Sequence, residues 1–153
     1  MTKFGKLLLI VILIVILVVV VFFFQKPVVD VNPPPEDNII LREILGNKDD
    51  LISFSILPNS KVQGVVSYQG AVKGGYFFEA NILINILDAN KNVLKTSNAI
   101  AMTDWMTIEP VEFEGNIDFT NLPKGLAYIE IHNDNPSGLP ENDKSVLIPI
   151  VID

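Results

Sequence analysis

The densest run of oxygen-bearing side chains is 133-NDNPSGLPENDKS-145, which lies between the apolar runs 126-LAYIEI-131 and 146-VLIPIVI-152. Oxygen-only ligand sets suit calcium, which takes roughly six to eight oxygens. An EF-hand loop needs a glycine at its sixth position and a bidentate carboxylate at its twelfth. Placing Gly138 sixth puts Asn133, Asn135, Ser137 and Glu141 at the first, third, fifth and ninth positions. It also puts Lys144 twelfth, a cation where the carboxylate belongs, so the loop is not an EF-hand. A different calcium geometry would use Asp134, Glu141 and Asp143. The competing reading is a long ordered connection, its turns capped by Asn and Asp and stiffened by Pro136 and Pro140. Long ordered loops carry function disproportionately.

The other unusual cluster is 103-TDWMT-107, which contains the only tryptophan. Trp105 offers a flat face for a sugar or peptide, or a cover for the end of a core. The two clusters define one candidate recognition surface: Asp104, Trp105, Met106, Thr107, Asp134, Asn135, Pro136, Ser137, Gly138, Glu141 and Asp143. Catalytic sets are thinner. There is no cysteine, and His132 is the only histidine, so a zinc cluster has no ligands. No Gly-x-Ser-x-Gly elbow accompanies that histidine, and no phosphate-cradling glycine loop exists. Glu79 has no second carboxylate for a glycosidase pair, and reads as an acid paired with Lys73 or with loop amides. The chain reads as a non-enzyme, with calcium as the one cofactor its residues suggest.

These residues must be positioned by strands. In 111-VEFEGNIDF-119, Val111, Phe113, Ile117 and Phe119 alternate with polar residues, the period of a half-buried strand. In 79-EANILINIL-87, Ile82, Ile84 and Ile86 alternate in the same way. The turn 88-DANKN-92 then leads into 93-VLKTSNAIAM-102 as a hairpin. Adding 51-LISFSIL-57, 64-GVVSYQGAVKG-74, the strand of Ile129 and Ile131, and 146-VLIPIVI-152 gives about seven strands. That number predicts an all-β, immunoglobulin-like antiparallel sandwich over residues 50–153. Pro149 has no N–H for a ladder, so the last strand is expected at an edge or irregular there.

Ahead of this domain, residues 7–24 are all Leu, Ile, Val or Phe. The run is long enough to cross a bilayer as a helix, and no small-residue cleavage pattern follows it. Residues 1–26 therefore read as a cytoplasmic N-terminus and an uncleaved membrane anchor. Lys3 and Lys6 precede the run, and all 18 acids follow it. The bias places the N-terminus inside and the C-terminal domain outside the cytoplasmic membrane. Residues 27–49 read as a linker stiffened by Pro33–Pro35, with a short helix over 39-IILREILG-46. The acidic balance, 18 Asp and Glu against 11 Lys and Arg, excludes nucleic acid as a partner. The remaining partners are the membrane through residues 7–24, an envelope protein or glycan, and a second copy paired through an exposed strand edge.

The stretches 75-GYFFEANILINILDANKNVL-94, 104-DWMT-107, 111-VEFEG-115 and 133-NDNPSGLPENDKS-145 carry a family likeness, as does 50-DLISFSILPNSKV-62. Together they resemble the immunoglobulin-like domain associated with bacterial sporulation and spore-germination proteins. One departure is the region of Tyr68, where the family pattern tends to carry proline, which bears on local turn geometry. The resemblance covers nearly the whole exported part. It implies a β-sandwich without catalytic activity, serving as a binding or structural module of the bacterial cell envelope. It carries over no catalytic residues.

Overall fold

The computed structural model describes residues 42–153, and the proposed anchor and most of the linker lie outside them. The described chain is all-β. Its strands are β1 (Leu45–Gly46), β2 (Leu51–Phe54), β3 (Ser60–Val62), β4 (Val65–Lys73), β5 (Asn81–Asp88), β6 (Val93–Ala101), β7 (Pro110–Asp118), β8 (Gly125–His132) and β9 (Ser145–Ile152). They pair in the order β1-β9-β8-β5-β6-β7-β4-β2, with β3 added to β9. Every pairing is antiparallel except β3 with β9.

The sheet curls at β6. That strand follows β5 from Val93 to Ile100 but meets β7 only at Ile100 and Ala101. The curl lays β5, β8 and β9 against β4 and β7, giving a sandwich-like body. Its core draws Ile82, Ile84 and Ile86 from β5, Ile129 and Ile131 from β8, and Val146, Ile148 and Ile150 from β9. Val72, Val111, Phe113 and Ile117 face them from β4 and β7. Burying such side chains contributes about 1.5–3 kcal/mol each, which is what holds a cysteine-free domain together.

Where β6 and β7 have separated, Lys95 bridges them. Its Nζ donates to the Asp118 carbonyl at 2.7 Å and to Asp118 Oδ2 at 3.2 Å. Thr120 and then Lys95 hold the Asp118 carboxyl down to about 2. A depressed carboxylate favours the folded state above the ordinary carboxyl range, and that contribution is lost as pH falls through about 2. A carbon-detected NMR titration is expected to show this low midpoint. Thr120→Val or Lys95→Ala should each raise it, and an unperturbed midpoint in the wild type would refute the bridge.

β4 and β7 interlock through two reciprocal pairs. Tyr68 on β4 stands opposite Gly115 on β7, and Gly70 on β4 stands opposite Phe113 on β7. Each aromatic ring occupies the space above the partner glycine. A Cβ at Gly115 would fall 2.4 Å from the Tyr68 hydroxyl, and one at Gly70 would fall 2.6 Å from the Phe113 ring. Tyr68 is thus a mid-strand core residue, and no turn exists there for a proline to shape. Its hydroxyl is the one buried side-chain polar atom without a hydrogen-bond partner among the described residues. Burial pushes this phenol well above its usual range. Tyr68→Phe is expected to raise stability by about 1 kcal/mol, because it removes an uncompensated buried polar group. Urea denaturation would check this, and a loss of stability would mean that the hydroxyl has a partner.

One expectation needs correction. The described part of 39–46 is not helical: Leu45 and Gly46 pair with Leu147 and Val146 as β1. The backbone of Gly46, at φ 75°, runs so close to Ser145 that a Cβ would strike its carbonyl. This approach lets Asn47 N–H donate to Ser145 O at 2.8 Å. Tertiary pairing therefore overrides a short helical pattern. The last strand is irregular at Pro149, as its missing N–H led one to expect. Its outer side carries β1 at Val146 and Leu147 and β3 at Ile150–Ile152. Pro149 falls in the gap between them, where its missing N–H costs no ladder bond, while its carbonyl accepts from Asn59 N–H at 2.6 Å.

Candidate binding surface

Three connections lie at one end of the sandwich: Gly74–Ala80 between β4 and β5, Met102–Glu109 between β6 and β7, and Asn133–Lys144 between β8 and β9. The first stands between the other two. On one side Gly74 N–H donates to Glu109 O at 3.0 Å. On the other, Asp134 N–H donates to Tyr76 O at 3.1 Å, and the Lys144 ammonium lies 6.0 Å from the Tyr76 ring centre. The structure therefore brings both predicted clusters to one end. No hydrogen bond joins them directly among the described residues.

The long loop is braced by its own side chains. Asn133, buried, donates through Nδ2 to Asn142 O at 2.9 Å and accepts from Lys144 N–H at 2.7 Å. Asn135 Nδ2 donates to Leu139 O and to Asp143 Oδ1, and its Oδ1 accepts from Ser137 N–H and Oγ–H. Asn142 Nδ2 donates to Ser137 Oγ at 3.0 Å. Gly138, at φ 63°, turns the chain, and Pro140 opens a single 3-10 turn over Pro140–Asn142. The asparagines are thus the loop's internal scaffold. No group of three or more His, Asp or Glu able to hold a metal occurs among the described residues, so Asp134, Glu141 and Asp143 do not converge.

In the shorter connection, Asp104 Oδ1 accepts from Met106 N–H and Thr107 Oγ1 from Glu109 N–H, each at 3.1 Å. Trp105 is half-buried and packs on the core. It covers part of the sandwich end. The side chains beside it are the ones left outside: Met106 is 76% and Ile108 88% exposed. Phe78 at 40% and Leu139 at 50% put one apolar tip on each of the other two connections.

The connection from Gly74 to Ala80 was not legible as part of the site. Tyr76 is fully buried, and its hydroxyl donates to Asp50 Oδ2 at 3.1 Å. Lys73 Nζ meets the other oxygen of the same carboxylate at 3.1 Å. Burial and then the Asp50 charge push the Tyr76 phenol upward. Lys73 therefore pairs with Asp50 and not with Glu79. Glu79 is exposed in a tight turn closed by Phe78 and Asn81, where Glu79 and Ala80 both have positive φ. A partner 23 residues away leaves no periodic trace in a sequence. His132 Nδ1 lies 2.6 Å from Asn133 O, to which it donates as a strand-end residue.

The chain matches no protein-family model, no curated protein and no solved structure.

Proposed function

We propose that this chain is a membrane-anchored, extracytoplasmic immunoglobulin-like module of the bacterial cell envelope that binds or assembles with a partner and performs no catalysis. The observation that carries the fold assignment is strand order. The groups β2-β4-β7 and β6-β5-β8-β9 follow an A-B-E and C′-C-F-G order, with β6 beside β5 as a C′ strand lies beside C in immunoglobulin-type sandwiches. The resemblance to the sporulation- and germination-associated domain points the same way. The partner surface is the three-connection end. It presents Phe78, Met106, Ile108 and Leu139 on braced loops, with acids around them. Rigid loops with exposed apolar tips lose little entropy on docking. Arg42, the first described residue, is tied to Asn59 by two hydrogen bonds of 3.0 Å, and the chain runs from there toward this end.

Photo-crosslinking in cells tests the proposal. A crosslinking residue at Met106 or Leu139 should capture one discrete species, and one at Asn90 on the opposite turn should not. The capture should survive replacement of residues 1–26 by an unrelated anchor. Capture only with the native anchor would favour a spacer or subunit held through its membrane segment. No capture from either loop position would remove the surface from consideration.

A further inference from the structure

A depression also lies away from the loop end. It is an open groove of about 570 Å³ on the outer face of β4 and β7, beside Ser55 and the end of β6. An adjoining depression of about 450 Å³ shares Ser55, Gln69, Met102 and Glu114 with it. Volumes of this size are those of small-molecule sites. The strand register explains its lining. Ser67 stands opposite Asn116, and Gln69 opposite Glu114, all on the face turned away from the core. Ser55, with the bare backbone of Gly115, keeps the middle low. Ile100 and Met102, each more than half exposed, form an apolar wall.

We infer that this groove is a binding site for a small neutral saccharide. The polar lining consists of hydroxyls, carboxamides and one carboxylate, with no cation to attract an anionic ligand. Its internal hydrogen bonds are few. Ser67 Oγ donates to Asn116 Oδ1 at 2.6 Å, and Gln69 Nε2 reaches Glu114 Oε2 at 3.5 Å. That leaves the Asn116 amide hydrogens as donors, and Gln69 Oε1 and Glu114 Oε1 as acceptors. Vicinal sugar hydroxyls both donate and accept, so they match a mixed set of this kind. The carbon-bound face of a pyranose ring suits the wall of Ile100 and Met102. A cationic peptide would use only the carboxylate and leave the amides and hydroxyls without a role. The site is separate from the loop end, so neither reading depends on the other.

The test is saturation-transfer NMR on the full chain in lipid nanodiscs, with chitobiose, cellobiose and maltose as probes. At least one should receive saturation through its ring protons. The Gln69→Ala, Asn116→Ala double variant should weaken that binding roughly tenfold, the worth of two ordinary hydrogen bonds. Both side chains are on the wet face, so the melting temperature should hold. Met106→Ala, at the loop end, should leave saccharide binding unchanged. Three outcomes would overturn the inference: no transfer to any of the three sugars, transfer undiminished in the double variant, or displacement of the bound sugar by trilysine at concentrations where triglutamate does nothing. The last would make the groove a peptide site.

Discussion

Phe113→Ala is expected to cost about 3–5 kcal/mol, the range for removing a large aromatic side chain from a packed core. Phe113 is 1% exposed. Its ring centre lies 6.2 Å from that of Phe54, 6.3 Å from Phe77 and 6.4 Å from Tyr68. These partners come from β2, β4 and the Gly74–Ala80 connection, so one substitution loosens three elements at once. It also leaves Gly70 facing a void, because the ring fills the space where Gly70 has no side chain. Only the Phe54 ring, whose Cδ2 also lies against Gly70, is placed to move into that space. A domain of this length has about 5–15 kcal/mol of stability in total, so the variant should lie close to its unfolding threshold at growth temperature. Trp105 is the only tryptophan and packs on the same core, so its fluorescence reports the transition directly. A melting point lowered by only a few degrees would mean that the aromatic cluster contributes less than its burial implies.

Gly74→Ala should cost about 3 kcal/mol, at the upper end for overpacking. A Cβ there would lie 1.7 Å from Thr107 O, 2.6 Å from Thr107 C and 2.9 Å from Ile108 Cα. All three are backbone atoms, so no side chain can rotate aside. Either β4 or the Met102–Glu109 connection has to shift, and the Gly74 N–H bond to Glu109 O goes with it. The effect should therefore be two-fold: a lower midpoint in denaturant, and amide shifts concentrated at 103–109. Gly138→Ala is the matched control. Gly138 has φ 63° and open space where its Cβ would be, so it should cost only the backbone strain, about 1 kcal/mol. Equal losses at the two positions would show that the contact at Thr107 relaxes freely. If capture by the crosslinker at Met106 falls in Gly74→Ala while capture at Leu139 holds, the two loops contribute separately to partner binding.

Much of the architecture was legible before any coordinates. The alternation of Val111, Phe113, Ile117 and Phe119 marks β7, and the isoleucines of 82–86 mark β5. Both follow from the two-residue period of a pleated strand with one buried face. The turn at 88–92 was legible as well. Asp88 accepts from the backbone amides of Asn90 and Asn92, each at 2.8 Å, a local bond that adjacent residue types announce. About seven strands were expected and nine are present among the described residues. The two additions are β1 and β3, of two and three residues, too short to show any period. They exist because β9 offers them an open edge.

The candidate site divides along the same line. That 133–145 is a special, proline-stiffened loop and that 103–107 carries an unusual tryptophan are matters of residue type, and the sequence alone determined them. The bracing of that loop was decided in three dimensions, by asparagines that spend their hydrogen bonds on its own turns. So were the inward turn of Trp105, the bond of Tyr76 and Lys73 to Asp50, and the placing of Gly74–Ala80 between the two loops. So too was the groove on the outer face, built from Ser55, Gln69 and Asn116, which stand far apart in the chain. The physical reason is range. Periodicity, capping and turn chemistry act over a few neighbouring residues and are written in order along the chain. A clash at Gly74, a void over Gly70 or a hydroxyl orphaned at Tyr68 depends on which distant strand lies opposite, and only the assembled sheet decides that.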